Sequence, residues 1–222
     1  MNSSVESKQA YIFDFDGTII QSNQLKLQAF EDLVKNDSVA LDLMRKVLKA
    51  SPRDPRDSLL QSFIQLCSQE RNLNDVFNDH KSLLKNYSSS VDTALLQCDF
   101  VPGAIDFLKA LKFRGKHLYL WSATPVGDLM RIADKLDISN FFHGIFGSPE
   151  TKKDNLDRIL KGLDPRDALV FGDSFDDLKW AKKLGVDFVA INNSGSTDRI
   201  CEADCLMSIS NFFDERINLM GK

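Results

Sequence analysis

Short apolar runs and longer helix-spaced stripes alternate through most of this chain. The runs lie at Tyr11 to Phe15, His117 to Trp121, Gly144 to Phe146, Ala168 to Phe171, Asp187 to Ile191 and Cys205 to Ser208, and their length and apolar content predict strands. Helical patterns separate most of them. The stretch Pro102 to Leu111 opens on Pro-Gly, places Ile105, Leu108 and Leu111 at helical spacing, and stops near Gly115. Thr124 is placed to cap a further helix with Pro125 at its first position, and Val126, Leu129, Met130, Ala133 and Leu136 then form one apolar stripe. Alternation of this kind predicts parallel strands joined by right-handed crossovers, an open, doubly wound, mainly parallel α/β sheet. Such sheets bind ligands at the carboxyl ends of their strands.

The alternation breaks between Ser22 and Cys98. Ala40, Leu43, Met44, Val47 and Leu48 follow helical spacing, Leu60, Phe63, Ile64 and Cys67 repeat most of it, and Val76, His80, Leu83, Leu84 and Tyr87 form a third stripe. No comparable strand signal interrupts them. The expected organisation is therefore a core of residues 1–21 and 99–222 with an all-helical insert, 22–98, placed after the first strand.

Composition narrows the classes of function. The 222 residues are 43% hydrophobic and 27% charged, as in an ordinary soluble globular protein, and accommodate one domain with a smaller insert. A formal net charge of -4 and the lack of a long basic run argue against nucleic acid as a partner. Cys67, Cys98, Cys201 and Cys205 are scattered with no C-x-x-C pair, and His80, His117 and His143 are isolated, so no zinc set is formed. The first nine residues are polar, and no stretch approaches the roughly 18 apolar residues of a membrane span. The expectation is a cytoplasmic protein with no membrane partner.

Four segments at predicted strand ends carry the chemistry. In Phe13-Asp14-Phe15-Asp16-Gly17-Thr18 two carboxylates stand two residues apart, where an apolar strand meets a glycine turn. Alternation along a strand lets both point the same way, an unfavourable crowding unless a cation or a reaction requires it. Ser122 follows the second strand and precedes a helix start, where its hydroxyl and nearby N–H groups can hold phosphate oxygens. The segment Gly147-Ser148-Pro149-Glu150-Thr151-Lys152-Lys153 offers a lysine, Lys152 or Lys153. An ammonium is needed if a carboxylate is to attack an anionic phosphate, since two like unit charges near 4 Å repel by roughly 4 kcal/mol at an effective dielectric of 20. In Gly172-Asp173-Ser174-Phe175-Asp176-Asp177 an apolar strand again ends in acids; Asp173 is placed to give magnesium a hard oxygen ligand, and Asp177, one turn on, to support the site.

The four segments, in this order, resemble the motifs of the haloacid dehalogenase superfamily, most of whose members are magnesium-dependent phosphatases, and the likeness spans essentially the whole chain. It implies a Rossmann-like core, and the insert resembles the family's type 1 helical cap. The resemblance further implies that Asp14 is the nucleophile forming an aspartyl-phosphate and that Asp16 is the acid and base, with Thr18 orienting the Asp16 region. Ser122 and Lys152, which the Gly-Ser-Pro-x-x-Lys spacing selects over Lys153, would grip the phosphoryl oxygens, and Asp14, the Asp16 carbonyl and Asp173 would hold Mg2+. One departure is Gln21, where many family phosphatases carry Asp near the hinge of the cap. The implied substrate is a small phosphorylated metabolite, a sugar phosphate or phosphoglycolate-like monoester. Arg53 and Arg56 are candidate contacts to a second anionic group of it. The alternatives are a phosphomutase acting on a sugar phosphate and a non-catalytic binding module on the same fold.

Overall fold

A computed structural model of the chain describes residues 3–51, 54–70, 73, 77–193, 196 and 198–217. The elements run α1 (Ser3–Glu6), β1 (Ala10–Phe13), α2 (Asn23–Asp32), α3 (Ser38–Ala50), α4 (Arg56–Cys67), α5 (His80–Leu95), α6 (Ala104–Phe113), β2 (His117–Pro125), α7 (Val126–Lys135), β3 (Gly144–Ser148), α8 (Lys152–Ile159), β4 (Ala168–Gly172), α9 (Phe175–Lys183), β5 (Asp187–Ile191) and β6 (Met207–Ile209). The six strands form one parallel sheet in the order β3-β2-β1-β4-β5-β6, a Rossmann-like α/β fold. The chain divides into two compact units, Met1–Asn23 with Cys98–Lys222, and Gln24–Gln97.

The central strand explains the near-continuous apolar runs. All four residues of β1 are buried, because both faces of a parallel sheet are covered by crossover helices. Ala10 and Ile12 pack on one face with Leu156 and Ile159 of α8 and Leu178 and Ala181 of α9. On the other face Phe13 stacks on its register partner Phe171, with centroids 4.9 Å apart, and both meet Phe107 of α6 edge-on. Phe212 closes this cluster at 5.2 Å from Phe107 and 5.6 Å from Phe171. Backbone bonds Gln21 N–H to Asp99 carbonyl, 3.0 Å, and Val101 N–H to Ile19 carbonyl, 2.9 Å, pair the segments that lead out of and back into this unit.

The second unit is helical. Asp37 caps α3 by accepting from the N–H groups of Val39 and Ala40, and Ala40, Leu43, Met44, Val47 and Leu48 are its buried face. Leu59, Leu60, Phe63 and Cys67 of α4 and Leu83, Tyr87, Val91 and Leu95 of α5 supply the rest, with Phe30 of α2 stacked on Tyr87 at 4.1 Å. Val76, expected in the third stripe, lies outside the described residues. Among the described residues no helix is long and apolar enough to cross a membrane, and the four cysteines are free thiols.

Four local expectations are corrected. β1 stops at Phe13, so Asp14 lies just beyond the strand, although its N–H still donates to the Phe171 carbonyl at 2.9 Å. β2 continues to Pro125 across an irregular register between Trp121 and Pro125, which places Ser122 inside the strand. Thr124 does not cap α7; Pro125 takes that position without a side-chain cap. Met130 is 50% exposed, and Ile132 joins Leu129 and Ala133 in the buried stripe instead.

Phe171→Ala removes the ring at the centre of the aromatic cluster, and its unfolding free energy should fall by about 3–5 kcal/mol. Phe113, which is 93% exposed, serves as the comparison: Phe113→Ser should stay within about 0.5 kcal/mol of the parent in the same urea titration. Equal losses in the two variants would contradict this packing.

Candidate active site

Asp14 directly follows β1 and Asp173 directly follows β4, its neighbour, while Ser122 sits in β2 on the other side of β1. The chain passes from β1 to β2 on one side and returns through β3 and α8 to β4 on the other, so these side chains flank the point where the strand order reverses. That crevice is where open α/β sheets bind ligands. Lys152 is the first residue of α8 and Asp177 belongs to the first turn of α9.

The Lys152 ammonium donates to Asp14 Oδ1 at 2.6 Å and also to Asp177 Oδ1. Lys153 instead pairs with Asp157 one turn along the surface of α8, so the two adjacent lysines separate, their side chains 11% and 45% exposed. Asp177 is fixed by a reciprocal cap with Ser174: the Ser174 hydroxyl donates to Asp177 Oδ2 at 2.6 Å and accepts from the Asp177 N–H at 3.2 Å. Asp14 and Asp173 are buried and Asp177 is fully so. One ligand oxygen from each of the three lies within 4.8 Å of the other two.

Two glycines make this density possible. Gly17 has φ +74, and a Cβ there would stand 2.1 Å from Asp173 Oδ2. At Gly172 a Cβ would lie 2.7 Å from Asp177 Oδ2. A side chain at either position would displace a carboxylate.

Burying so many acids has an electrostatic consequence. The Asp14 carboxyl is held well above the ordinary carboxylate range, chiefly by burial and further by Asp177, Asp173 and Asp16, with Lys152 opposing. Burial and then Asp177 push Asp173 up to about 7, against the opposing Asn23 hydrogen bond and Lys152. Burial works against the Lys152 charge, but Asp14 and Asp177 together outweigh it and raise its pKa. One ammonium cannot neutralise three carboxylates. The oxygen-only donor set and this excess negative charge fit a hard divalent cation such as magnesium.

The Asp16 carboxylate lies outside this acidic cluster. Its Oδ1 accepts from the Ser22 hydroxyl at 2.5 Å and its Oδ2 from the Thr124 hydroxyl at 3.3 Å. Ser122 Oγ accepts from the Thr124 N–H at 3.1 Å, leaving its own proton to donate. Thr18 is buried, and its hydroxyl has no hydrogen-bond partner among the described residues; the hydroxyls that reach Asp16 are those of Ser22 and Thr124. The sequence reading also missed Asn23, whose amide donates to Asp173 Oδ2 at 2.6 Å. Arg56 opens α4 in the helical unit, and Arg53 lies outside the described residues.

The sequence profile described as haloacid dehalogenase-like hydrolase matches residues 11–191, most of the chain and all four chemical segments. This chain belongs to the haloacid dehalogenase-like hydrolase family. Phosphoglycolate phosphatase 1 of Pseudomonas aeruginosa is 32% identical over 97 residues, 40% of this chain and 36% of that protein. The likeness thus spans little more than a third of that relative's length. Among solved structures, a predicted phosphoglycolate phosphatase of Haemophilus somnus superposes with a TM-score of 0.74 at 18% identity, covering 94% of this chain and 96% of that one. A Thermotoga maritima protein assigned as a beta-phosphoglucomutase gives 0.73 at 18% identity, covering 95% and 97%. Both show a shared fold.

The raised carboxyls set the sign of a pH effect. Folded Asp173 keeps its proton up to about pH 7 whereas the unfolded chain releases it near the model-peptide value of about 3.9, so the metal-free fold loses stability as pH rises between these values. Asp14 acts in the same direction. Thermal unfolding in chelator against millimolar magnesium should therefore show protection by the ion that is larger at about pH 7.5 than at about pH 5. Equal protection at both, or none, would contradict the charge balance drawn here.

Proposed function

We propose that this protein is a magnesium-dependent phosphatase that hydrolyses a small phosphate monoester through an aspartyl-phosphate at Asp14. The observation that carries the reading is the Lys152 ammonium held between Asp14 and Asp177 at the carboxyl end of β1 and β4. A carboxylate that must approach a phosphate anion needs such a fixed positive charge, and a structural lysine on a helix surface does not.

In this reading Asp14 attacks phosphorus, a bond forms between its carboxylate oxygen and phosphorus, and the bond to the ester oxygen breaks. Asp16 gives its proton to the departing oxygen, then takes one from the water that cleaves the acyl phosphate and frees Asp14. The Ser22 and Thr124 hydroxyls suit both states of Asp16, since a hydroxyl can donate to the carboxylate or accept from the carboxylic acid. Ser122 donates to a phosphoryl oxygen, and Lys152 neutralises that group as Asp14 closes on it. Asp14, the Asp16 carbonyl and Asp173 would hold magnesium, which would supply further positive charge to the phosphoryl group.

Phosphoglycolate is the first substrate to test, on the strength of the similarity to the Pseudomonas aeruginosa enzyme. Residues 22–98 are proposed as a type 1 cap with Gln21 near its hinge, and Arg53 and Arg56 as its anionic-group contacts. The fold shared with the Thermotoga maritima protein supports phosphomutase as the second reading, which differs only in the acceptor of the phosphoryl group.

The test is phosphate release from phosphoglycolate, sugar phosphates and an aryl phosphate with magnesium present. Asp14→Asn should lower kcat by about 10³-fold or more on every substrate that is hydrolysed. Asp16→Ala should cost an alkyl phosphate about 10²-fold more than an aryl phosphate, because only the poor leaving group needs a proton. Turnover retained in Asp14→Asn would rule out the aspartyl-phosphate, and equal losses in Asp16→Ala would remove the acid role.

A further inference from the structure

Lys152 carries a flexible four-carbon stem, yet the proposed chemistry requires its ammonium at one point. Its partner for that task is the residue just before Ser122. Trp121 is fully buried in β2, in register with Phe146 of β3. The indole Nε1–H donates to the Lys152 backbone carbonyl at 2.8 Å, and the Lys152 Nζ lies 4.7 Å from the centre of the same ring. One side chain thus meets both ends of the lysine. The hydrogen bond anchors the first residue of α8 to β2, and the indole face attracts the ammonium where it reaches Asp14 and Asp177.

We infer that Trp121 is the positioning residue for Lys152, an inference that rests on the phosphatase reading above. Only an indole supplies both features: phenylalanine keeps an aromatic face without the donor, and leucine keeps neither. Trp121 touches no reacting atom, so its contribution is the placement of the ammonium, and a misplacement on the scale of 1 Å can cost about 10²-fold in rate. Core packing alone would make Trp121 a stability residue whose loss leaves kcat intact in whatever fraction remains folded.

The test compares Trp121→Phe and Trp121→Leu with the unsubstituted chain, reading kcat and KM on an aryl phosphate with magnesium and the lysine side-chain resonances by NMR. The leucine variant should lose about 10²-fold in kcat with KM little changed, and the phenylalanine variant should recover most of that loss. The Lys152 ε-methylene should show the upfield shift of a group above an aromatic face in the unsubstituted and phenylalanine proteins and lose it with leucine. Lys179 and Lys183, whose ammonium groups lie 4.5 and 4.8 Å from the Trp180 ring, should not move. Unchanged kcat in either folded variant, a loss confined to KM, or a Lys152 resonance unmoved by leucine would overturn the inference. If the leucine variant does not fold, the phenylalanine variant decides: a smaller, purely kcat loss supports the inference and full activity overturns it. Absence of phosphate release from the unsubstituted chain would overturn the proposed function itself, while the NMR comparison still tests the Trp121–Lys152 geometry without turnover.

Discussion

The Lys152 ammonium, ion-paired with both Asp14 and Asp177, is the contact on which the site at the carboxyl edge of the sheet depends. Asp14 after β1 and the pair Asp173 and Asp177 at the β4–α9 junction meet at the carboxyl edge of the sheet, and positive charge among them relieves their crowding. Removing one partner of a buried pair typically costs about 3–5 kcal/mol, because the charge left behind is stranded away from water. Much of the local architecture serves to keep that ammonium in place. α8 begins on Lys152, the Ser174–Asp177 cap fixes one acceptor, and the Asp14 N–H bond to Phe171 fixes the backbone of the other. Trp121 extends this arrangement into the strand below.

The same constraint connects fold to chemistry. Burial first, and the neighbouring carboxylates after it, raise the pKa of Asp14 and Asp173. The site is correspondingly receptive to a metal ion and to the displacement of charge that accompanies phosphoryl transfer. The Asp16 carboxylate accepts from the Ser22 and Thr124 hydroxyls while Asp14 accepts from Lys152, so two aspartates only two residues apart have different partners. Neighbouring carboxyl groups in unlike settings are how a single site runs nucleophilic and acid–base work together.

Much of this was legible in the sequence, for identifiable reasons. The parallel sheet followed from apolar runs such as Ala168 to Phe171, which must be apolar on both faces because helices cover both. The family resemblance singled out Lys152 over Lys153 as a grip on phosphoryl oxygens, whereas its ion pairs with Asp14 and Asp177 emerge only from the structure. What escaped detection depended on backbone detail or on few buried residues. α2 buries only Ala29 and Phe30 and so presents no stripe. The irregular register of β2 after Trp121 turns Thr124 from the expected helix cap into a ligand of Asp16, and no composition rule foretells such an irregularity. Trp121 read as one more apolar strand residue because its indole N–H finds its acceptor 31 positions away.

The central claim is that Asp14 becomes covalently phosphorylated, and the most direct measurement is chemical trapping of that species. The protein would be quenched in acid during steady turnover of a phosphate monoester with magnesium, reduced with borohydride, which converts an acyl phosphate of aspartate to homoserine, and mapped by peptide mass spectrometry. The account predicts homoserine at position 14, dependent on substrate and absent at Asp16, Asp173 and Asp177. Turnover without any reduction at position 14, or reduction at another aspartate, would contradict it.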